Sequence, residues 1–152
     1  MNCKCVCGYL LLLALAGCGG GSSTPTATPT PTPTPAPVTT SIFSQGFSVA
    51  AATRDFAAAG FQDVSVPSSG RVDVSFDWTF ASSDLDMVVT RTDCISGASA
   101  YSGNCFAFGS DKSTRKPARV TFDSTGAVVI RVWIVNFAQV QESGVMNVLL
   151  TR

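Results

Sequence analysis

Between Arg71 and Phe80 the sequence RVDVSFDWTF alternates without a break: Val72, Val74, Phe76, Trp78 and Phe80 are apolar, while Arg71, Asp73, Ser75, Asp77 and Thr79 are polar. Successive side chains of a strand point to opposite faces, so this pattern predicts a strand with one wet face and one buried face. A sheet with a buried face must be covered by a second layer. The turn signal Pro67-Ser68-Ser69-Gly70 precedes the strand, and Phe61–Val66 before it reads as the other arm of a hairpin. Leu85–Thr92 is a third strand. Arg119–Asp123 and Ala127–Val135 flank Ser124-Thr125-Gly126, a second hairpin signal. The run AVVIRVWIV (Ala127–Val135) is apolar on both faces except at Arg131. It predicts a central strand covered by the opposite sheet on one side and by a loop or chain end on the other. Gly144–Thr151 is the last strand and Thr39–Val49 an edge strand, while the alanines of Ala50–Ala59 suggest a helical turn. Short strands at this spacing predict an all-β fold, a single antiparallel β-sandwich. The stretch 38–152, about 115 residues, is long enough to enclose one core.

Composition removes several functions. The 152 residues contain no histidine, which excludes Ser-His and Cys-His nucleophiles and histidine-ligated metals. Lysine plus arginine total 10 and aspartate plus glutamate total 10, so no basic excess points to a nucleic-acid partner. Without histidine a serine hydrolase would need a lysine base, and Lys112 and Lys116 lie in a polar loop with no cause for a lowered pKa. Nine aspartates and the single Glu142 leave a small metal- or carboxylate-dependent hydrolase as the enzymatic alternative, but their spacing does not favour one. The expected function is therefore not enzymatic.

The N-terminus reads MNCKCVCGYLLLLALAGC, with Lys4 ahead of a nine-residue apolar run, Gly8–Ala16. A helical membrane span needs about 20 apolar residues, so this run suits the core of a signal peptide instead. It ends in Leu15-Ala16-Gly17-Cys18, which resembles the bacterial lipobox. The resemblance implies that a diacylglycerol is attached to the Cys18 thiol, that residues 1–17 are removed, and that the new amine is acylated. It places the protein at the cell envelope, held to the membrane by the lipid on Cys18. In a Gram-negative cell, Gly19 in place of aspartate after the cysteine implies the outer membrane.

Residues 18–37 form a tether, a Gly/Ser stub followed by TPTATPTPTPTPAP (Thr24–Pro37). Alternating proline excludes helix and central strand. It favours polyproline II at about 3.1 Å per residue, a reach on the order of 40 Å. Of the six cysteines, Cys3, Cys5 and Cys7 leave with the signal peptide and Cys18 carries lipid. Cys94 and Cys105 remain as a pair in an oxidising compartment and are expected to form a disulfide around ISGASAYSGN.

The run FQDVSVPSSGRVDVSFDWTFASSDLDMVVT, with AVVIRVWIVNF and GVMNVLL downstream, resembles the bacterial pre-peptidase C-terminal domain. That family shows a P-x-x-G turn, a long alternating strand and an Asp-Leu-Asp strand, here Asp84-Leu85-Asp86. The resemblance implies a jelly-roll-like sandwich. In that family such domains are appended to secreted proteases, and several bind calcium or insoluble polymers. This chain attaches no catalytic domain and inserts the Cys94–Cys105 loop.

Three groups of residues are site candidates. Asp84 and Asp86, two apart, would share a strand face, and with Asp77 or Asp93 could supply oxygen ligands to calcium. The structural alternative has Asp84 ending a turn and Asp86 accepting hydrogen bonds. Tyr101, in the disulfide loop and near Phe106 and Phe108 in sequence, and Trp133, on the Arg131 face, are candidates for an exposed binding surface, whereas Trp78 belongs to the core. Lys112, Arg115, Lys116 and Arg119 form the one basic cluster, diluted by Asp111 and Asp123. The expected function is a lipid-anchored, non-catalytic binding or structural module. Its partner is an envelope polymer or a protein, and one alternative is an accessory subunit that docks a secreted protease or an envelope complex.

Overall fold

The computed structural model describes residues 34–152. The expected signal peptide, Cys18 and the expected tether up to residue 33 lie outside them. Eight strands and one short helix follow in order: β1 Thr39–Val49, β2 Ala58–Val66, β3 Gly70–Trp78, β4 Leu85–Arg91, α1 Gly97–Ser102, β5 Ala107–Asp111, β6 Ala118–Ser124, β7 Val128–Asn136 and β8 Glu142–Thr151. They form two antiparallel four-stranded sheets, ordered β1-β8-β3-β6 and β2-β7-β4-β5. This interleaved order is that of a jelly roll, so the expected all-β sandwich is the observed fold.

Both expected hairpins are instead arches between the sheets. β2 pairs with β7 and β3 with β8 and β6, so the Pro67–Ser69 turn carries the chain across the core. The turn after β6 likewise hands the chain to the other sheet, where β7 pairs with β2 and β4. Period-two alternation tells which side of a strand is buried but not which strand lies beside it. Gly70 makes the first arch possible. Its φ of 145° is a glycine conformation, and a Cβ there would lie 2.5 Å from the Thr151 carbonyl oxygen.

The core lies between the sheets and is built from the apolar set of each strand, including Val72, Val74, Phe76 and Trp78 of β3, Leu85, Met87 and Val89 of β4, Ile130, Val132 and Ile134 of β7, and Met146, Val148 and Leu150 of β8. Phe80 does not extend this set; it falls beyond β3 and is exposed. β1 is the expected edge strand, whereas β8 is internal, between β1 and β3. Ala50–Ala57 contains no helix. The one helix of the described residues, α1, lies in the disulfide loop, where Ser96 caps its start and Gly103, at φ 80°, ends it.

Candidate functional site

The loops sort onto two poles. The chain enters β1 beside the end of β8, where Val38 and Arg152 exchange backbone bonds of 2.8 and 2.9 Å. The two arches share that pole. The loops β1–β2, β3–β4, β5–β6 and β7–β8 gather at the opposite pole.

Two buried polar side chains hold this far pole together. Asn136, at the end of β7, donates to the carbonyls of Ala50 at 2.9 Å and Val140 at 2.8 Å, and accepts from the Ala138 amide at 2.8 Å. Its Nδ2 and Oδ1 groups thus tie the β1–β2 and β7–β8 loops to one point. Glu142, the only glutamate, accepts from the Phe80 amide at 3.3 Å and from the Ser83 hydroxyl, and so fixes the β3–β4 loop. A buried polar group with its bonds made rigidifies its surroundings. In the sequence Glu142 shows only as the single glutamate and Asn136 only as the end of AVVIRVWIVNF, and neither pattern announces the loops these residues hold.

The outer face of the β2-β7-β4-β5 sheet leads to the same pole. Strand register lays out three rows: Ala59–Val135–Asp86, Phe61–Trp133–Val88 and Asp63–Arg131–Thr90. The disulfide loop folds over them. Cys94 and Cys105 are bonded, with Cα atoms 5.6 Å apart, as expected from the cysteine count. Val88, Cys94, Ala100 and Trp133 form a second small core beneath the loop. Gly97 sits so close to the sheet that a Cβ would lie 2.5 Å from that of Ala59 and 3.3 Å from the Trp133 ring.

Arg131, the interruption in an otherwise apolar strand, clamps this layer. It donates to Asp63 through Nε at 2.7 Å and Nη2 at 2.8 Å, and through Nη1 to the Cys94 carbonyl at 3.0 Å. The hydrogen bonds to Asp63 raise the guanidinium pKa further, so Arg131 is charged at any pH the fold survives.

The loop delivers Tyr101 to the far pole. The Tyr101 ring packs on Phe137 at 5.4 Å between centroids and 59° between planes. The Lys112 ammonium lies 4.0 Å over the Tyr101 ring and donates to the Tyr101 carbonyl at 2.7 Å. The Tyr101 hydroxyl and the Asp86 carboxylate are close enough to shift each other's proton affinity. Burial raises the Asp86 pKa above the usual 3.8, opposed by the nearby Tyr101 hydroxyl and Lys112 and assisted by Asp84. Burial, Asp86 and Asp84 together raise the Tyr101 hydroxyl above its usual 10.0. Beside Tyr101 opens a groove of about 250 Å³ lined by Phe56, Ala57, Ala59, Gly97, Tyr101, Val135 and Phe137, among others. Phe56 is 77% exposed and Phe137 39%.

The sequence candidates divide accordingly. Tyr101 is half-buried and belongs to the groove, beside Phe137 and not beside Phe106 and Phe108, which pair with each other at 5.3 Å. Trp133 is corrected: it is 4% exposed, sealed beneath the disulfide loop, and is no surface residue. Asp86 is buried on β4, whereas Asp84 is exposed in the loop before it. The aspartates named as a calcium set do not converge. Asp77 pairs with Lys116 at 3.3 Å, and Asp93 follows the far end of β4. Among the described residues no group of three or more acidic or cysteine side chains is placed to hold a metal ion.

Of the basic cluster, Arg115, Lys116 and Arg119 stay together around one pocket of the β5–β6 loop with Asp111, while Lys112 goes to Tyr101; Lys116 also pairs with Asp77, and the Arg119 amide donates to Asp111. Asp111 organises this loop. Although burial pushes its carboxyl up, bonds from the Ser113 amide at 3.0 Å and the Arg119 amide at 2.8 Å bring it below the usual 3.8. No protein-family model matches the chain, and no curated protein matches it either, so the groove is read on its own geometry.

Proposed function

We propose that this chain is a lipid-anchored protein of the bacterial cell envelope whose jelly roll, a relative of the pre-peptidase C-terminal domain, serves as a binding module. The observation that carries the reading is the aromatic groove of Phe56, Tyr101 and Phe137 at the pole opposite the entry of the chain. Exposed aromatics around a concave site on loops fixed by buried polar groups are the usual makings of a recognition surface. Val38, where the described chain enters β1, lies at the other pole, so the start of the domain does not cover the groove.

Lipid labelling and membrane fractionation of the full chain test the anchor. Wild type should take up label and sediment with membranes, and Cys18→Ser should lose both. A Cys18→Ser chain that still sediments with membranes overturns the anchor. The released Cys18→Ser protein should then bind isolated envelopes, and adding Phe56→Ser and Phe137→Ser, both at exposed positions, should abolish that binding. Unchanged envelope binding by that variant overturns the groove as the recognition surface.

A further inference from the structure

We propose that the pocket at the β5–β6 loop binds a phosphate monoester group through Arg115, Lys116 and Arg119. The site is separate from the aromatic groove and stands or falls without it.

The fold gathers these three cations onto one concave surface. β5 ends at Asp111 and β6 starts at Ala118, and the loop between them closes on the Asp111 carboxylate. Oδ1 accepts from the Ser113 amide at 3.0 Å and Oδ2 from the Arg119 amide at 2.8 Å. The Arg115 amide bonds the Ser113 hydroxyl at 3.4 Å, which ties Arg115 into the same turn. The pocket that results measures about 570 Å³, and Arg115, Lys116 and Arg119 line it together with Asp111, two serines and Pro117.

The acids around this pocket are already engaged, and the guanidiniums are not. Both Asp111 oxygens hold backbone amides. Lys116 pairs with Asp77 at 3.3 Å and reaches the Thr79 carbonyl at 3.5 Å, which leaves one of its three ammonium protons. Among the described residues, neither the Arg115 nor the Arg119 guanidinium makes a hydrogen bond or an ion pair; the three ion pairs belong to Arg71, Lys116 and Arg131. Like charges brought together by the backbone repel, and an anion seated among them relieves that repulsion.

The number of donors selects the anion. One guanidinium saturates both oxygens of a carboxylate in a bidentate pair. A phosphate monoester offers three oxygens and nearly two charges at neutral pH, enough to engage both guanidiniums and Lys116 at once. A cation would meet three positive groups and one acid with its oxygens taken. An apolar ligand would strip water from the guanidiniums and return no partner.

The test uses the full-length Cys18→Ser chain, with the arginine Nε–H signals followed by NMR at constant ionic strength, so that screening does not change. Inorganic phosphate should shift Arg115 and Arg119 saturably, and acetate should bind about tenfold more weakly. Arg115→Gln and Arg119→Gln, both at exposed positions, should each weaken phosphate binding about tenfold. Arg71→Gln, on β3 and paired with Asp73, should leave it unchanged. Vesicles separate the two sources of the group. Sedimentation with phosphatidylcholine vesicles holding one part in five phosphatidic acid, absent with pure phosphatidylcholine and lost in Arg115→Gln, assigns a lipid headgroup. Saturable binding of inorganic phosphate without sedimentation assigns a soluble phosphate. Equal binding of phosphate and acetate overturns the proposal, as do Arg115→Gln and Arg119→Gln proteins that bind phosphate like wild type, or a wild type that shows no saturable shift at tens of millimolar.

Discussion

The two sheets turn different outer faces to their surroundings. On the β1-β8-β3-β6 sheet that face is polar and bare: Ser44 bonds Asn147 at 2.7 Å, Thr121 bonds Asp73 at 2.6 Å, and Arg71 pairs with Asp73 at 3.3 Å. On the β2-β7-β4-β5 sheet the face is apolar and roofed by the disulfide loop. The strands record the difference. β6 alternates buried and exposed along its whole length, whereas β4 is buried at every position but its last. A strand in a sandwich that stops alternating therefore announces a third layer, and here that layer builds one wall of the groove.

The strongest way to break the contrast is to remove what the third layer packs on. Trp133→Ala should cost about 3–5 kcal/mol, the range for a large aromatic lost from a packed interior. Val145→Ala, on the bare face of the other sheet and 46% exposed, should stay within about 0.5 kcal/mol. Chemical denaturation of both variants decides the matter. Comparable losses would mean that the roof over Trp133 is loose and contributes no second core.

The bridge is the next largest effect. Cys94 and Cys105 lie 11 positions apart, and closing so short a loop stabilises by about 3 kcal/mol in the chain-entropy account. Cys94→Ser with Cys105→Ser should lower stability by that order. Hydrogen exchange should show faster opening in α1 and at Tyr101 while β3 and β8 keep their protection. Uniform loosening of both sheets would refute the picture of a separable third layer. Unchanged exchange in the loop would show that Arg131 and Trp133 hold it without the bridge.

How much of this was legible in the sequence follows from what each pattern encodes. RVDVSFDWTF fixed the inward set of β3 through Trp78, because burial is written at every second residue. It did not reveal that β2 and β3 lie in opposite sheets, because a hairpin and an arch present the same alternation. AVVIRVWIV announces a strand covered by the opposite sheet on one side and by a loop or chain end on the other, and that second cover is the disulfide loop. Yet Trp133 was assigned to the surface, because its side of the strand is apolar only by virtue of a layer drawn from residues 94–105. Tyr101 was legible as a loop aromatic. Phe56 and Phe137 were not, since single phenylalanines in two loops 81 positions apart meet only through Asn136 and the topology. The Asp84–Asp86 pair carries a real signal, but of one buried and one exposed carboxylate and not of a converging set. Spacing gives the face of a residue and not the number of oxygens that surround it.

The smallest effect sharpens the electrostatic side of the comparison, because the covered face hides a carboxylate and the bare face does not. The folded-state pKa of Asp86 lies above 3.8, chiefly through burial. The folded protein therefore holds that proton more tightly than the unfolded chain does. The ionised carboxylate then costs stability at pH 7, and the cost is relieved as the pH falls through the raised value toward 3.8. Asp86→Asn cannot ionise and keeps nearly the same size and shape. The variant should melt a few degrees higher than wild type at pH 7, and that advantage should shrink on acidification and be gone below 3.8. Asp111 carries the opposite sign. Its depressed pKa lends stability above 3.8 that is lost as the pH falls through the folded-state value, so Asp111→Asn should melt lower than wild type at pH 7. Thermal melts of the three proteins between pH 3 and 7 separate the two carboxylates, since only one difference should be positive at neutrality. A lower melting temperature for Asp86→Asn at pH 7 would show that the attraction of Lys112 and Tyr101 for the charged carboxylate outweighs the cost of burial.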